Sequence, residues 1–289
     1  MNYRHHFHAG NFADVFKHVL LLRLIAAMQR KEKGFLYLDT HAGRGGYDLS
    51  VPAILPEGRT REPEYPQGIG RLWLERAWPA PVAEYVELVR RFNERQGVAR
   101  GELKYYPGSP WLAKFALRPQ DRMALFELHP DDVEALEFEF GRESRVSVQA
   151  GDGYNALKGA LPPPEKRALV LVDPPFENQG EFVAILTGLE AALRRLPGAV
   201  VAVWYPITER AGADAFLHEI AARQTPAVAA ELMVAGPEAA MRLKGCGLLV
   251  LNPPWRIDSE FRELLPELAK RLGTGEGAAA RCTWIVADR

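Results

Sequence analysis

The tetrapeptide Asp173-Pro174-Pro175-Phe176 carries the most specific chemical signal in the sequence. It follows an apolar run, and because two consecutive prolines cannot donate to a strand ladder, the chain must leave a sheet here. Since proline fixes φ, the Asp173 carboxylate and the Pro174 carbonyl become two rigidly placed acceptors, which suit the two hydrogens of a planar amine. Phe176 offers a flat face on which a purine can stack. The tetrapeptide therefore predicts a site that orients the exocyclic amine of adenine and accepts its departing proton. An ordinary strand-ending turn is the alternative.

A glycine-rich turn with the sequence Asp39-Thr40-His41-Ala42-Gly43-Arg44-Gly45-Gly46 follows another apolar run. Glycines in such a turn let the backbone approach a ligand closely. The turn is a weak signal by itself, because it lacks a full dinucleotide-binding fingerprint. Its combination with Asp173 makes a cofactor site a stronger prediction.

Two acidic residues lie at the ends of later apolar runs and could complete a cofactor pocket. Glu127 lies in the run 123–128, where a carboxylate can accept hydrogen bonds from both hydroxyls of a ribose. Asp152, between Gly151 and Gly153, is placed to accept from the adenine amine of the same cofactor. Either residue alone could be a solvated loop acid, but their recurrence at successive strand ends favours a pocket.

The N-terminal residues 3–18 combine histidines, aromatic residues and cations. Five of the seven histidines precede residue 42, and residues 1–33 contain six Lys/Arg against two Asp/Glu. Cations for phosphate and rings for stacking predict a surface that contacts RNA. The alternatives are a metal site built from His5, His6 and His8, an arm that packs on the sheet, and local helix capping by Asn11 or Asp14.

Apolar runs define the elements that must position these residues. Residues 13–29 have apolar side chains at helical spacing, which predicts a first helix. Five short runs separated by helical stretches predict parallel strands, and three more strand candidates follow them. These runs are 35–39, 123–128, 146–150, 168–173 and 199–205, and then 229–234, 248–252 and 283–287. The pattern predicts an α/β fold with an open, doubly wound sheet.

More than eighty residues separate the first predicted strand from the second, far more than one crossover helix needs. We therefore predict a single domain over residues 1–289 with a small, mainly helical inserted subdomain at 50–104. We expect the insertion at the sheet edge where ligands bind. A cover for a large substrate and a decoration without a direct role are equally compatible with its sequence.

Composition restricts the class of protein. Lys+Arg 36 against Asp+Glu 37 gives a formal net charge of -1, so any contact with a polyanion must come from a local patch. Cys246 and Cys282 lie far apart without a CxxC motif, as expected for buried thiols in a reducing cytoplasm. No run approaches the ~20 apolar residues that span a bilayer, and no secretory signal is visible. We expect a cytoplasmic protein without a metal or an obligate protein partner, and a monomer by default.

The tetrapeptide at 173–176 resembles the catalytic motif of amino-group methyltransferases, and its Asp is typical of enzymes that act on adenine N6. The chain as a whole resembles the RlmJ family. Besides the N-terminal block and the tetrapeptide, five segments carry this resemblance, namely Phe35 to Tyr47 with its glycine turn, Tyr105 to Pro110, Glu127 to Pro130, Trp204-Tyr205-Pro206 and Asn252-Pro253-Pro254-Trp255.

The resemblance implies a Rossmann-like class I methyltransferase that uses S-adenosyl-L-methionine. Its implied substrate is the N6 amine of a specific adenine in 23S ribosomal RNA. The implied catalytic residues are Asp173, Pro174 and Phe176. The implied cofactor-binding residues are Lys17, His18, His41, Gly43, Ser109, Glu127, Asp152, Gly153 and Asp173. Tyr3, Arg4 and His5 are implied to contact the RNA. Ser109 has a second interpretation, because Ser followed by Pro is typical of a helix N-cap.

Asn252-Pro253-Pro254-Trp255 also fits an amino-methyltransferase tetrapeptide. In a doubly wound sheet the fourth strand adjoins the first, whereas a strand after the fifth lies at least three spacings away, roughly 14 Å at ~4.8 Å each. Because methyl transfer needs the nitrogen within about 3–3.5 Å of the methyl carbon, Asp173 is predicted to be the catalytic copy.

Three other functions fit parts of the sequence. A DNA adenine-N6 methyltransferase is disfavoured because no separate DNA-reading domain is present. A catalytically inactive RNA-binding module of the same fold is disfavoured because Asp173 is intact. A protein-glutamine methyltransferase is disfavoured because such enzymes more often begin the tetrapeptide with Asn.

Overall fold

The computed structural model describes residues 7–54, 60–75, 77–177 and 180–288. Within these ranges the helices are α1 (Phe12–Met28), α2 (Ile69–Leu74), α3 (Ala80–Arg95), α4 (Ser109–Ala116), α5 (Pro130–Phe140), α6 (Gly153–Gly159), α7 (Glu181–Arg195), α8 (Arg210–Ala221) and α9 (Ile257–Leu272). The strands are β1 (Leu36–Asp39), β2 (Gly46–Asp48), β3 (Ala53–Ile54), β4 (Thr60–Arg61), β5 (Tyr105–Pro107), β6 (Arg122–Glu127), β7 (Val146–Ala150), β8 (Ala168–Val172), β9 (Val200–Ile207), β10 (Ala227–Met233), β11 (Gly245–Leu251) and β12 (Ala279–Val286). No helix in the described ranges is long and apolar enough to cross a membrane.

The large sheet in these ranges has the strand order β12-β10-β11-β9-β8-β1-β6-β7. The five neighbouring strands β9, β8, β1, β6 and β7 run parallel to one another. The strands β11, β10 and β12 are each antiparallel to their neighbours. The predicted doubly wound α/β fold is therefore confirmed, with the fourth predicted strand, β8, beside the first, β1. We call the side where the parallel strands end the carboxyl edge and the side where they begin the amino edge.

Helix α1 is buried around nearly its whole circumference. Three consecutive residues, Leu20, Leu21 and Leu22, are each at most 2% exposed. A surface helix would keep one polar side, but α1 contacts β8 and β11 on the sheet and α3, α4 and α9 outside it. The continuous apolar sequence of α1 thus reflects its position between the sheet and an outer layer of helices.

The segment 50–104 supplies part of that outer layer. Helix α3 buries Val82, Val86 and Val89, and it packs on α1 and α4. The Tyr85 hydroxyl lies 2.9 Å from the Tyr106 hydroxyl in β5. The buried side chains of α3 belong to the same apolar core as those of α1. Whether the segment is a separate subdomain stays a prediction, but its helix shares the core that fixes α1 against the sheet.

The second proline tetrapeptide lies at the amino edge. Because β11 is antiparallel to β9, the residues that follow Leu251 lie where the parallel strands begin. The Asn252 side chain donates to the carbonyls of Pro197 (2.7 Å) and Ala199 (2.9 Å), just before β9. The tetrapeptide is three strand positions from β1, as expected, and it is also at the opposite edge from Asp173. Its predicted distance from β1 is confirmed, and its place at the opposite edge is a second reason, which the sequence did not supply, to keep Asp173 as the predicted catalytic copy.

Gly68 provides a test of how the segment 50–104 holds the residues before α1. A methyl group at Gly68 would lie 2.1 Å from the carbonyl oxygen of Gly10 and 2.7 Å from Cα of Asn11. Since backbone must move to relieve this contact, we expect Gly68→Ala to lower the free energy of unfolding by about 1–3 kcal/mol in urea denaturation. Gly212→Ala in α8, where a methyl group meets open space, is the control. It should be neutral or stabilising by up to about 1 kcal/mol. Equal losses in both variants would contradict the close contact.

Candidate active site

The predicted site residues lie on loops that backbone hydrogen bonds tie together at the carboxyl edge. Thr40 N–H donates to the Leu171 carbonyl (3.0 Å), which joins the loop after β1 to β8. Ala42 N–H donates to the Phe126 carbonyl (2.9 Å), and Gly151 N–H donates to the Glu127 carbonyl (2.9 Å). The loops after β1, β6 and β7 thus form one hydrogen-bonded surface next to Asp173.

Glu127 ends β6 and orders the glycine turn. Its Oε2 accepts from Gly43 N–H (2.9 Å), and its Oε1 accepts from the N–H groups of Leu128 and His129 (both 2.8 Å). A carboxylate offers about four acceptor sites, so Oε2 keeps capacity for another donor. Glu127 therefore fixes the turn and can still accept from a ligand hydroxyl.

Two glycines leave no space for a side chain in this surface. Gly43 has φ +60°, and a methyl group there would lie 2.3 Å from the Tyr47 hydroxyl. A methyl group at Gly153 would lie 2.0 Å from the Thr40 carbonyl oxygen. The exposed Asp152 caps α6 by accepting from Tyr154 N–H (2.8 Å). These glycines fit a site in which backbone lies close to a ligand.

Lys17 connects Asp173 to a second buried carboxylate. Its Nζ donates to Oδ2 of Asp173 (2.5 Å) and to Oδ1 of Asp14 (2.8 Å). The Lys17 side chain is 5% exposed, and the side chains of Asp14 and Asp173 are 3% and 16% exposed. The other Asp14 oxygen accepts from Gly10 N–H (2.9 Å). An ion-paired chain thus leads from the start of α1 to the end of β8.

Burial by itself lowers the pKa of Lys17. The charges of Asp14 and Asp173 and their hydrogen bonds together raise it by more than burial lowers it, so the pKa lies well above its ordinary value. Lys17 is therefore a cation at neutral pH. It cannot accept a proton, but it can orient Asp173 through Oδ2, which leaves Oδ1 available.

Asp39 at the end of β1 is a site residue that the sequence did not single out. It is fully buried, and its Oδ2 accepts from the hydroxyls of Ser109 (2.6 Å) and Tyr37 (2.8 Å). Burial raises the pKa of Asp39 to about 6, and nearby Asp173 adds to this effect, while Ser109 and Tyr37 oppose it. The place of Asp39 at the end of a predicted strand was the one feature of the sequence that could have identified it. Its partner Ser109 could not be predicted, because it lies 70 residues away in sequence.

The N-cap interpretation of Ser109 is wrong. Helix α4 begins at Ser109 itself, after Gly108, and no side chain caps it. The Ser109 hydroxyl instead donates to Asp39, which lies in the strand next to β8. Ser109 is therefore part of the buried polar group beneath the glycine turn.

The two predicted histidines have different environments. His18 is 1% exposed, and its Nδ1 lies 2.7 Å from the hydroxyl of Tyr106 in β5, which in turn lies 2.9 Å from the Tyr85 hydroxyl in the segment 50–104. His41 Nδ1 lies 2.8 Å from the Thr40 hydroxyl. Burial lowers the pKa of His41 to about 4, although Asp173 and Asp152 act in the opposite direction. His41 is therefore neutral at pH 7 and electrostatically close to Asp173.

Phe176 has an unusual backbone conformation. Its φ is +48°, a region that costs a bulky residue about 1–3 kcal/mol. Its ring packs edge-on against Phe182 (centroids 5.2 Å apart) and Trp204 (5.7 Å). The two aromatic contacts hold the strained turn, so the position of Phe176 after the two prolines is fixed by packing.

The predicted RNA contacts Tyr3, Arg4 and His5 lie outside the described residues, as do two of the three histidines of the alternative metal site. In the part of the block that is described, His8 Nδ1 lies 2.8 Å from Glu64 Oε2, and the Asn11 amide donates to the same oxygen (2.9 Å). Asn11 also caps α1 by accepting from the N–H groups of Ala13 and Asp14, which confirms its predicted capping role. The block therefore contacts the segment 50–104 immediately before α1.

Comparisons with known proteins agree with this architecture. A family model described as "Ribosomal RNA large subunit methyltransferase D, RlmJ" matches residues 32–286. The Escherichia coli K12 protein named Ribosomal RNA large subunit methyltransferase J is 37% identical over 289 residues, which is 100% of both chains. The protein of the same name from Haemophilus influenzae is 37% identical over 279 residues, 95% of this chain and 96% of the relative.

A solved structure of a Legionella pneumophila protein is also similar. It is 35% identical to this chain, with a TM-score of 0.84 over 96% of this chain and 98% of that one. The similarity therefore includes the sheet, the loops at its carboxyl edge and the segment 50–104.

The raised pKa of Asp39 predicts a pH-dependent stability. Between about pH 4 and 6 the folded protein retains a proton on Asp39 that an unfolded chain has already released, so this contribution to stability is lost as pH rises through that window. Asp39→Asn cannot ionise. The free energy of unfolding of the variant minus that of the wild type should therefore rise by about 2–3 kcal/mol from pH 4 to pH 7, measured by denaturant titration.

Altered hydrogen bonding in Asp39→Asn changes the difference in free energy of unfolding by the same amount at every pH, so it does not affect the expected rise with pH. Asp131→Asn, which removes an exposed carboxylate from α5, is the control. A difference curve for Asp39→Asn that is as flat as the control curve would contradict the interpretation.

Proposed function

The chain belongs to the RlmJ family of large-subunit ribosomal RNA methyltransferases, and on that premise we propose that it transfers a methyl group from S-adenosyl-L-methionine to the N6 amine of a specific adenine in 23S ribosomal RNA. The match covers the whole of the Escherichia coli relative. The proposal assigns a substrate and a chemical role to the carboxyl edge of this chain.

The position of Asp173 is the observation that carries the proposal. It follows β8, which pairs with β1, so it lies beside the loop that contains the glycine turn. Burial raises the pKa of Asp39 and lowers that of His41, and in both cases the charge of nearby Asp173 acts to raise it, which supports a position of the carboxylate close to that loop. At this position the Asp173 carboxylate can accept a hydrogen bond from the adenine N6 amine while the cofactor is bound beside it.

The residues of the carboxyl edge suit S-adenosyl-L-methionine. Added methyl groups at Gly43 and Gly153 would meet the Tyr47 hydroxyl at 2.3 Å and the Thr40 carbonyl at 2.0 Å, so only glycine lets these loops pack as closely as they do. Glu127 Oε2 has acceptor capacity for the ribose hydroxyls, and Asp152 is exposed beside it for the adenine amine. The cofactor, when bound, supplies a methyl group on a positively charged sulfonium.

The chain's contribution to catalysis is orientation and removal of a proton. The adenine must leave its stack to reach the site. Its N6 amine donates to Asp173 Oδ1 and to the Pro174 carbonyl, while the Phe176 ring supports the base. These acceptors localise the nitrogen lone pair toward the methyl group, and proximity provides much of the rate. Asp173 then takes the proton that the methylated amine releases.

Lys17 keeps Asp173 ready for this role. The Lys17 ammonium group donates to Asp173 Oδ2 and, on its other side, to Asp14. These two hydrogen bonds restrict rotation of the Asp173 carboxylate.

The role of Glu127 in cofactor binding can be measured directly. In Glu127→Gln the amide NH2 faces a backbone N–H group, and an acceptor for the ribose is lost. We expect the Kd for S-adenosyl-L-methionine to rise roughly 10- to 100-fold in calorimetric titration, as for the loss of about 1.5–3 kcal/mol of charged hydrogen bonding. Glu134→Gln, on the exposed side of α5, should bind like the wild type. Unchanged affinity in Glu127→Gln would remove Glu127 from the proposed pocket.

The reaction itself is tested with labelled S-adenosyl-L-methionine and protein-free 23S RNA, followed by nucleoside analysis. We expect N6-methyladenosine from the wild type and a rate lowered by about 10²- to 10⁴-fold in Asp173→Ala, since the proton acceptor is lost. Asp131→Ala is the matched control, and the melting temperature verifies that Asp173→Ala is folded.

Three results would contradict the proposal. Label recovered on DNA or on protein would replace the substrate. No transfer to any acceptor, with cofactor still bound, would favour an inactive RNA-binding module. Full activity in Asp173→Ala would move catalysis to another residue.

A further inference from the structure

The loops at the amino edge carry a positive charge that the net charge of the chain conceals. Residues 29–35, 117–122, 141–145 and 161–167, which lead into β1, β6, β7 and β8, contain nine Lys/Arg and four Asp/Glu. Their net charge is +5, so the remainder of the chain, which has a total of -1, carries -6. By contrast, residues 40–45, 128–129, 151–152 and 173–177 at the carboxyl edge contain one Lys/Arg and three Asp/Glu. The two edges of the sheet therefore have opposite charge.

Arginine side chains join these loops into one surface. Arg118 donates to the carbonyls of Gln29 and Lys31 (both 3.1 Å), and Arg145 donates to the carbonyl of Arg118 (2.8 Å). Arg167 donates to the carbonyls of Met28 (2.7 Å) and Lys33. The surface is thus a rigid unit, which we call the basic edge.

Three lysines of the basic edge keep their side chains outside this framework, although the backbone carbonyls of Lys31 and Lys33 belong to it. Lys31, Lys33 and Lys166 are exposed, and in the described part of the chain their ammonium groups have no hydrogen bond or ion pair. Arg142 is exposed in the same way. Their charges are therefore available to a polyanion, unlike those of the bridging arginines.

The second proline tetrapeptide adds an exposed ring to the basic edge. Trp255 is 80% exposed, and its carbonyl accepts from Arg30, so the tetrapeptide lies against residues 29–35. Asn252 has φ +47° and is held by the carbonyls of Pro197 and Ala199. Arg30 is itself paired with Glu260, but the loop it belongs to also carries the exposed Lys31 and Lys33. The turn therefore presents a large aromatic ring next to a loop with free ammonium groups, a combination that binds unpaired nucleotides by stacking and phosphate contact.

We propose that the basic edge, with Trp255, is a second RNA-binding surface that holds an unpaired segment of the substrate RNA away from the reacting adenine. The proposal rests on the proposed function. The strand β8 has five residues, so the two edges are about 16 Å apart, a distance that a folded RNA larger than the protein can span. Because the carboxyl edge is acidic, the described loops around Asp173 provide little attraction for phosphates. The basic edge supplies the missing affinity.

The charge component is tested with the variant Lys31→Gln/Lys33→Gln/Lys166→Gln. Binding to protein-free 23S RNA is measured over a series of KCl concentrations, and methyl transfer is measured in parallel. Each phosphate contact contributes about 0.7–0.9 to the slope of log Kobs against log salt, so we expect the slope to fall by about 2. The KM for RNA should rise, whereas kcat and the Kd for the cofactor should stay unchanged, since none of these lysines contacts the site.

The control removes three exposed cations elsewhere, in the variant Arg100→Gln/Arg242→Gln/Lys270→Gln. It should keep the wild-type slope. An equal loss of slope in both triple variants would show a general charge effect and overturn the proposal.

The ring component is tested with Trp255→Ala. Loss of one stacked base should weaken RNA binding roughly 5- to 100-fold without changing the salt slope, because no charge is removed. Phe138→Ala is the control, since Phe138 is 87% exposed on α5, outside the basic edge. Melting temperatures verify that both variants are folded.

The outcomes separate this proposal from the proposed function. Wild-type methylation of 23S RNA together with wild-type RNA binding and KM in the lysine and Trp255 variants would overturn the second surface and leave the reaction intact. A wild-type protein that neither binds nor methylates RNA would overturn the proposed function, and the second surface with it.

Discussion

The pairing of one buried ammonium group with two carboxylates sets the conditions for the rest of the structure. A buried charge that loses its partner costs several kcal/mol, so Lys17 needs Asp14 and Asp173 at fixed positions. Asp14 lies on α1 itself, whereas Asp173 lies at the end of β8. Helix α1 must therefore be fixed against the sheet. Its packing on the sheet and beneath α3, together with the cap at Asn11, achieves this. Residues with no direct chemical role thus determine the orientation of the Asp173 carboxylate.

The sequence predicted the centre of the sheet well because β1 and β8 are short, fully buried runs with an Asp at or just after their ends. Residues at the ends of strands, such as Glu127 and Asp173, could be identified by position alone. The direction of β11 could not be predicted, because a strand buried on both faces reads the same whether it is parallel or antiparallel. The contacts of Ser109 and His18 were also beyond sequence reasoning. Each depends on a partner 70 or more residues away, Asp39 in one case and Tyr106 in the other.

Net charge was the least informative property of the chain. A value of -1 indicated that any RNA contact must be local, but it did not locate that contact. Loops that enter strands and loops that leave them alternate along the sequence, so the cations of the basic edge are divided among four separate segments and do not appear as one charged run. Only the parallel arrangement of β1, β6, β7 and β8 collects the cations on one side.

The two proline tetrapeptides show why a motif requires its structural context. Both end buried strands, yet the residue with positive φ is the fourth in one, Phe176, and the first in the other, Asn252. In the first case the Asp173 carboxylate lies at the carboxyl edge and accepts from Lys17. In the second, the Asn252 amide is consumed by two backbone carbonyls, and the ring of Trp255 is turned to solvent. Similar residues therefore give an acceptor pair at one edge and an exposed aromatic surface at the other, because the direction of the preceding strand decides what each tetrapeptide faces.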